Sequence, residues 1–186
     1  VSKYAYNAPY QRKGSGKKTM LEMAKGYDFP WEKHKDLVDY SRKVGIIYLS
    51  SCFDIKAVDF FIDELDGDCI KIGSGEITNF PLLRYIAKTG LPIILSTGMC
   101  KLEEIKEALE EIKGNSPIAL LHCISSYPTK SYEVNIRAIQ TLKSEFNLLT
   151  GFSDHTLSDV ASISSIAMGA KIIEKHFTID KKLPGP

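Results

Sequence analysis

From residue 46 onward, the chain alternates between short apolar runs and longer segments in which apolar residues recur every three or four positions. The short runs are typical of buried strands, and the longer spacing is typical of amphipathic helices. The pattern predicts six strands, at residues 46–49, 69–72, 92–95, 117–121, 148–152 and 170–174. Between them it predicts helices at residues 57–65, 79–88, 102–112, 135–146 and 159–168.

The first 45 residues follow a different pattern. Residues 1–18 lack periodicity and are predicted to form a loop, whereas residues 19–45 are predicted to be helical. A short helix is expected at residues 21–25, ended by Gly26. A longer helix is expected to begin near Pro30 and to end at Gly45.

Strand–helix repeats of this kind build either a doubly wound sheet or a (β/α)8 TIM barrel. Polar side chains follow all six predicted strands. A doubly wound sheet collects its ligands at one switch point, whereas a barrel collects them from all its strand ends. The sequence therefore predicts an α/β TIM barrel that is incomplete, with about six of eight strand–helix units and without the first two strands. Residues 1–186 are interpreted as this partial barrel domain, from a longer protein.

Composition narrows the classes of partner. The chain has 186 residues, 44% of them hydrophobic and 25% charged, with a net charge of +1. Without a clustered basic face, a nucleic-acid partner is not expected, and without a long apolar stretch a membrane partner is not expected. The four cysteines have no CxxC spacing, which favours free thiols in a reducing cytoplasm over disulfides or a zinc site.

The predicted strand ends carry a lysine and a group of hydroxyls. Lys71 lies inside an apolar run, where its burial is costly without an anionic partner. The hydroxyls belong to Ser51, Ser74, Ser96, Ser125, Tyr127 and Ser153. Together with the glycines of the turn at residues 73–75, this combination suits a phosphate or a phosphorylated small acid. The alternatives are a plain tight turn and a lysine that reaches solvent.

Two histidines follow the last two predicted strands. His155 and His176 would lie on one edge of a parallel sheet, and two imidazoles with nearby carboxylates suit a divalent metal such as Mn, Zn, Co or Fe. Asp154, beside His155, is expected to orient that ligand. The alternative is two unrelated surface histidines. His122 precedes Cys123 in a predicted strand and is interpreted as a structural histidine.

Five motifs stand in order along the chain: IKIGSGE at residues 70–76, ILSTGM at 94–99, LHC at 121–123 with YPT at 127–129, GFSDHT at 151–156, and EKHFT at 174–178 with PGP at 184–186. With these motifs the chain resembles the sialic acid synthase family, which comprises N-acetylneuraminate synthases and their legionaminate and pseudaminate relatives. The resemblance runs from about Tyr10 to the last residue.

The resemblance implies a transferase of carbohydrate biosynthesis that forms a C–C bond. It would condense phosphoenolpyruvate with the aldehyde of an N-acylated amino sugar such as N-acetylmannosamine, giving a nine-carbon 2-keto sugar acid and phosphate. It further implies a cytoplasmic homodimer and a divalent metal, Mn or Mg, held by His155 and His176. The expected catalytic residues are Glu76, Asp154 and His176. Phosphoenolpyruvate is expected at Lys71, Ser74, Ser96 and Ser153, with Ser51, Ser125 and Tyr127 nearby.

The chain also departs from the family pattern. The family begins with two strands that carry a functional Glu and a functional Lys, and it ends with an antifreeze-like domain that contributes an Arg to the partner's site. Because neither part is in this sequence, we expect the full-length protein to be active and this fragment alone to be inactive. Two alternatives remain: another phosphoenolpyruvate-dependent aldol synthase that makes a shorter keto sugar acid, and a non-catalytic barrel fragment.

Overall fold

The computed structural model describes Ala5, Asn7, Ala8, Gln11 and residues 19–183. The predicted loop at residues 1–18 therefore lies largely outside the described residues, and so does the PGP motif at 184–186. The chain divides into two compact units, one formed by Val1–Asp36 with Phe177–Pro186 and the other by Leu37–His176. All the predicted site residues belong to the second unit.

Among the described residues, helices α1 and α2 precede the repeated units. Helix α1 (Met20–Gly26) begins at a capping box, in which the Thr19 hydroxyl accepts from the Glu22 N–H and the Glu22 carboxylate accepts from the Thr19 N–H. Helix α2 (Trp31–Val44) ends at Gly45, which has a φ of +77° that favours glycine. Both helices confirm the prediction. Within the described part of the chain, no helix has the length and apolar character needed to cross a membrane.

The second unit continues as alternating helices and strands. Their bounds are α3 (Ile55–Asp63), β1 (Ile70–Ile72), α4 (Phe80–Ala87), β2 (Ile93–Ser96), α5 (Leu102–Glu111), β3 (Ile118–Cys123), α6 (Ala138–Phe146), β4 (Leu149–Asp154), α7 (Val160–Ala167) and β5 (Ile173–Lys175). Short 3-10 turns follow β1 and β3, at Ser74–Glu76 and Ser131–Glu133. The five helices and the last five strands predicted from the pattern are confirmed, with their ends shifted by a few residues.

The five strands form one parallel sheet in the order β1-β2-β3-β4-β5. Each strand pairs with the next one along the chain, so the order never reverses. A doubly wound sheet requires such a reversal at its switch point, whereas consecutive order is what a barrel requires. The α/β fold class and the incomplete barrel are therefore confirmed.

The first predicted strand, at residues 46–49, is wrong. Ile46 and Ile47 are 61% and 71% exposed, and this segment joins the sheet only through an isolated parallel bridge between Ser51 and Lys71. An apolar run forms a strand only where it gains ladder hydrogen bonds and packing against a neighbour. Strand β1, its neighbour, has only three residues, and a single bridge is all that forms. Over the residues that the structure describes, the sheet therefore has five strands, one fewer than predicted.

The main buried cluster joins β1, β2 and β3 to the helices that cover them. Its largest fully buried side chains include Phe61, Ile72, Leu83, Leu95 and Leu120. A smaller cluster lies behind β4 and comprises Val134, Ile139, Phe152 and Ala170. Burial of each large side chain contributes about 1.5–3 kcal/mol, so this packing fixes the strands whose ends carry the polar residues.

Gly151, in β4, lies where any side chain would collide with the neighbouring strands. A Cβ at this position would lie 2.5 Å from the Ile172 carbonyl oxygen and 2.6 Å from Leu121 Cδ2. We expect Gly151→Ala to lower the free energy of unfolding of the full-length protein by about 1–3 kcal/mol, measured by urea denaturation.

Gly114 provides the matched control, because a Cβ there would have no atom within 4 Å. Gly114→Ala should leave the free energy of unfolding unchanged or raise it by about 0.4–1 kcal/mol, through the lower entropy of the unfolded chain. Equal losses in the two variants would show that the close approach at Gly151 is not what limits the substitution.

Candidate active site

Alternation along the strands sends every second side chain to the same face of the sheet. On β1, Ile70 and Ile72 enter the core, and Lys71 lies on the opposite face. Because all the strands are parallel, their carboxyl ends meet at one edge, which we call the mouth. A continuous set of contacts crosses the mouth, and we call it the polar cluster: Ser96, Lys71, Glu174, Ser153, His155 and His176.

Lys71 is the buried cation of the polar cluster, with only 5% of its surface exposed. Its Nζ donates to Ser96 Oγ at 2.8 Å and to the Ile72 carbonyl at 3.1 Å, and it lies 3.7 Å from Glu174 Oε2. Burial lowers the pKa of Lys71, and the carboxylate of Glu174 opposes that shift. The buried lysine thus has the anionic partner that its position in an apolar run required.

Glu174 and Ser153 are directly paired across β4 and β5. Ser153 Oγ donates to Glu174 Oε1 at 2.5 Å and lies 3.3 Å from His155 Nε2. The serine therefore connects the lysine–carboxylate pair to the imidazoles. Hydroxyl, ammonium and carboxylate groups therefore adjoin one another, and hydroxyl and ammonium groups are donors that can bind an oxyanion.

His155 and His176 meet as expected, with ring centroids 5.4 Å apart and an interplanar angle of 86°. His155 Nδ1 lies 2.7 Å from the Ile124 carbonyl. A carbonyl can only accept, so Nδ1 carries the proton and Nε2 presents a lone pair. Burial lowers the pKa of His155, and the neighbouring His176 adds to that shift, which favours the neutral imidazole that a metal needs.

These two imidazoles fit a divalent metal as part of its ligand set. Among the residues that the structure describes, no group of three or more His, Cys, Asp or Glu side chains could hold a metal by itself. A metal here would therefore need oxygen ligands from water or from substrate in addition to His155 and His176. Tyr127 packs against both rings, with centroids 4.0 Å from His155 and 5.5 Å from His176.

Ser74 and Ser125 converge on the backbone of Gly98. A Cβ at Gly98 would lie 2.6 Å from Ser125 Oγ, 2.7 Å from Cys123 Sγ and 3.1 Å from Ser74 Oγ. The ends of β1, β2 and β3 therefore bring two of the predicted hydroxyls together, and only glycine leaves room for them. Cys123 is buried beside them, and burial raises the pKa of its thiol.

Besides Ser74, Ser125 and Tyr127, three more predicted site residues lie outside the polar cluster. Ser51 is exposed and pairs with Lys71 only through the isolated bridge. Glu76 lies in the turn after β1, where its Oε2 accepts from Asn79 Nδ2 at 2.7 Å. Asp154 is 1% exposed and faces α7, where it accepts from Ser162 Oγ at 2.6 Å. Alternation places Asp154 on the face opposite to Ser153, away from the mouth.

The sequence pattern predicted no role for Glu174, although it belongs to the motif EKHFT at residues 174–178. Strand alternation offered the signal, because residues 174 and 176 must share a face and His176 was expected at the mouth. His122 is a structural histidine, as its place in a predicted strand indicated. Its Nε2 donates to the Val134 carbonyl at 2.8 Å, and its ring stacks on Phe152 with centroids 5.8 Å apart.

Comparison with known proteins identifies the family. The NeuB family model matches residues 1–186. The chain belongs to the NeuB family. This NeuB-family chain is 44% identical over 193 residues to the N,N'-diacetyllegionaminic acid synthase of Legionella pneumophila, a match that covers 100% of the chain and 54% of that protein. The chain thus spans about half the length of the curated relatives it matches.

Solved structures support the same assignment. The crystal structure of N-acetylneuraminic acid synthetase from Leptospira borgpetersenii, in complex with citrate, is 35% identical with a TM-score of 0.83, over 91% of this NeuB-family chain and 60% of that chain. A truncated 3-deoxy-D-arabino-heptulosonate 7-phosphate synthase from Thermotoga maritima is 21% identical, with a TM-score of 0.65 over 80% of this chain and 61% of that chain, and shows the same fold. The resemblance to the sialic acid synthase family is therefore confirmed.

The buried His122 predicts how stability depends on pH. Burial lowers its pKa in the folded protein, and the hydrogen bond to Val134 opposes that shift only in part. The resulting stability is present above the unfolded value of about 6.5 and is lost as pH falls through the lower folded value. We expect acidification from neutral pH to destabilise wild type more than His122→Gln, measured by urea unfolding. Identical pH profiles would show that His122 does not control this dependence.

Proposed function

We propose that the full-length protein condenses phosphoenolpyruvate with the open-chain aldehyde of an N-acylated amino sugar. The products are a nine-carbon 2-keto sugar acid and phosphate. The observation that carries this proposal is the polar cluster, in which a buried lysine, a carboxylate, serine hydroxyls and two imidazoles adjoin at one mouth of a NeuB-family chain.

The hydroxyls and the lysine bind phosphoenolpyruvate. Lys71 and Ser96, already hydrogen-bonded to each other, and Ser153 donate to its phosphate and carboxylate. Charge-assisted hydrogen bonds are strong where water is excluded, and Lys71 is buried. Ser74 and Ser125, gathered around Gly98, extend this set of donors.

The imidazoles prepare the acceptor. His155 and His176 would hold a divalent metal, Mn or Mg, through nitrogens such as the lone pair on His155 Nε2. When bound, this metal supplies a Lewis acid that polarises the aldehyde oxygen of the sugar. Tyr127 packs against both rings and restricts their rotation. Glu76, in the turn after β1, is the carboxylate that we assign to the sugar.

Glu174 has a separate task in this proposal. Its carboxylate contacts Ser153 and lies beside Lys71, so it holds a negative charge where the phosphate oxygens must enter. Phosphoenolpyruvate must therefore displace or share these contacts when it binds.

A second candidate is a related synthase that makes a shorter keto sugar acid. The fold that the chain shares with the heptulosonate phosphate synthase favours it as an alternative, at the level of fold alone. Those enzymes usually take a phosphorylated sugar, which would need a second basic phosphate site. The homodimer stays a prediction from the family resemblance, and the cytoplasmic location stays a prediction from the sequence.

Turnover by the full-length protein tests the proposed function. We expect phosphate release from phosphoenolpyruvate with Mn²⁺ and either N-acetylmannosamine or 2,4-diacetamido-2,4,6-trideoxymannose. The second sugar is tested because of the similarity to a diacetyllegionaminic acid synthase. His176→Ala should abolish release, because it removes one of the two imidazoles of the polar cluster.

The matched control is His34→Ala, which removes a histidine of helix α2 outside the polar cluster and should retain turnover. Release with a phosphorylated sugar alone would favour the shorter keto acid. If the protein binds neither phosphoenolpyruvate nor Mn²⁺, the enzyme hypothesis fails and the non-catalytic alternative stands.

Lys71 should determine the affinity for phosphoenolpyruvate. Lys71→Met removes a buried ammonium that donates to Ser96 and lies beside Glu174, and loss of such a charged contact weakens binding by roughly 10- to 100-fold. Isothermal titration of the full-length protein measures this dissociation constant. The control is Lys113→Met, which removes an exposed lysine paired with Glu110 and should bind like wild type. Equal affinities in both variants would contradict the role of Lys71.

A further inference from the structure

Lys175 connects β5 to the loop that follows β4. Its Nζ donates to Asp154 Oδ2 at 2.8 Å, to the Thr156 carbonyl at 3.0 Å and to the Ser158 carbonyl at 3.2 Å. An ammonium group has three donors, so all of them are used. The lysine therefore holds one side chain and two backbone positions of the β4–α7 loop at once.

Asp154 completes this contact from the other side. Its side chain is 0% exposed, Oδ1 accepts from the Thr156 N–H at 2.8 Å, and Oδ2 accepts from Ser162 Oγ at 2.6 Å. Together with the bond from Lys175, both oxygens of the carboxylate are therefore held by hydrogen bonds.

The residues that make these contacts are sequence neighbours of the two histidines at the mouth. His155 stands between Asp154 and Thr156, which are both held by Lys175, and His176 directly follows Lys175. The paired positions Asp154 and Lys175 are also the last rung between β4 and β5. One ammonium group, on the residue before His176, thus holds the side chain that precedes His155 and the backbone carbonyl that follows it.

Stability alone does not account for this arrangement. Replacing a buried ion pair by apolar side chains of similar size is often neutral or stabilising for the folded protein. Apolar residues at positions 154 and 175 could therefore stabilise the fold as well as the ion pair does. The ammonium group of Lys175 also donates to the carbonyls of Thr156 and Ser158 in the β4–α7 loop, and an apolar side chain could not make these hydrogen bonds. The contacts are directed at the loop that carries His155.

We infer that Lys175, acting with Asp154, is a positioning residue that sets the mutual orientation of His155 and His176 for a divalent metal. The inference rests on the proposed function, since it assigns the two imidazoles to one ion. Residues that orient metal ligands from behind commonly change metal affinity by roughly 10- to 100-fold when they are replaced. Lys175 acts in this way although it does not touch the mouth.

Metal binding by the full-length protein tests the inference without any turnover. Mn²⁺ affinity is measured from the electron paramagnetic resonance signal of the free ion, and ligand geometry from the visible absorption of bound Co²⁺. We expect Lys175→Met to weaken Mn²⁺ binding by roughly 10- to 100-fold and to change the Co²⁺ spectrum. Arg84→Met, which removes the ion pair between α4 and α5, is the control and should bind both ions like wild type.

Folding is checked by urea denaturation, and Ser162→Ala serves if Lys175→Met does not fold. This variant removes one hydrogen bond from Asp154 and should weaken Mn²⁺ binding less, in the same direction. The inference is overturned if folded Lys175→Met binds Mn²⁺ with wild-type affinity and leaves the Co²⁺ spectrum unchanged. If only Ser162→Ala folds, the same result in that variant overturns it. Two results would contradict the metal assignment in the proposed function, and the inference with it. Either wild type binds no Mn²⁺, or wild type and His176→Ala bind Mn²⁺ with the same affinity.

Discussion

The parallel register between β4 and β5 is the constraint on which the rest of the site depends. It pairs Ser153 with Glu174 and Asp154 with Lys175. Because alternate side chains take opposite faces, the first pair enters the mouth and the second faces α7. A slip of β5 by one residue would turn Lys175 toward the mouth and Glu174 toward α7, which would separate both pairs. The chemistry of this sheet edge thus depends on which residues are paired between β4 and β5.

Buried charge is the second constraint, and β5 satisfies it on both faces. Lys71 is a buried cation at the mouth, and Glu174 is the anion beside it. Asp154 is a buried anion on the helix side, and Lys175 is its cation. Without a partner, either buried charge would lower the stability of the fold by several kcal/mol. Strand β5, with only three residues, supplies both partners, Glu174 and Lys175.

Most elements were predictable because their signals are local. A capping box at Thr19 and a glycine at position 45 mark helix ends through contacts within a few residues. Residues 46–49 show the limit of such reasoning. Their apolar run has strand composition, but Ile46 and Ile47 remain exposed because strand formation depends on a pairing partner elsewhere in the chain.

The sequence by itself determined the α/β repeat, the family motifs, and the meeting of His155 with His176, because periodicity and parallel strand ends follow from local pattern. Only the tertiary structure decided that Glu174 joins Lys71 to Ser153, and that Asp154 turns away from the mouth. Those outcomes depend on which residues stand opposite each other in neighbouring strands. Register is set by packing between distant segments, and no local pattern in a single sequence records it.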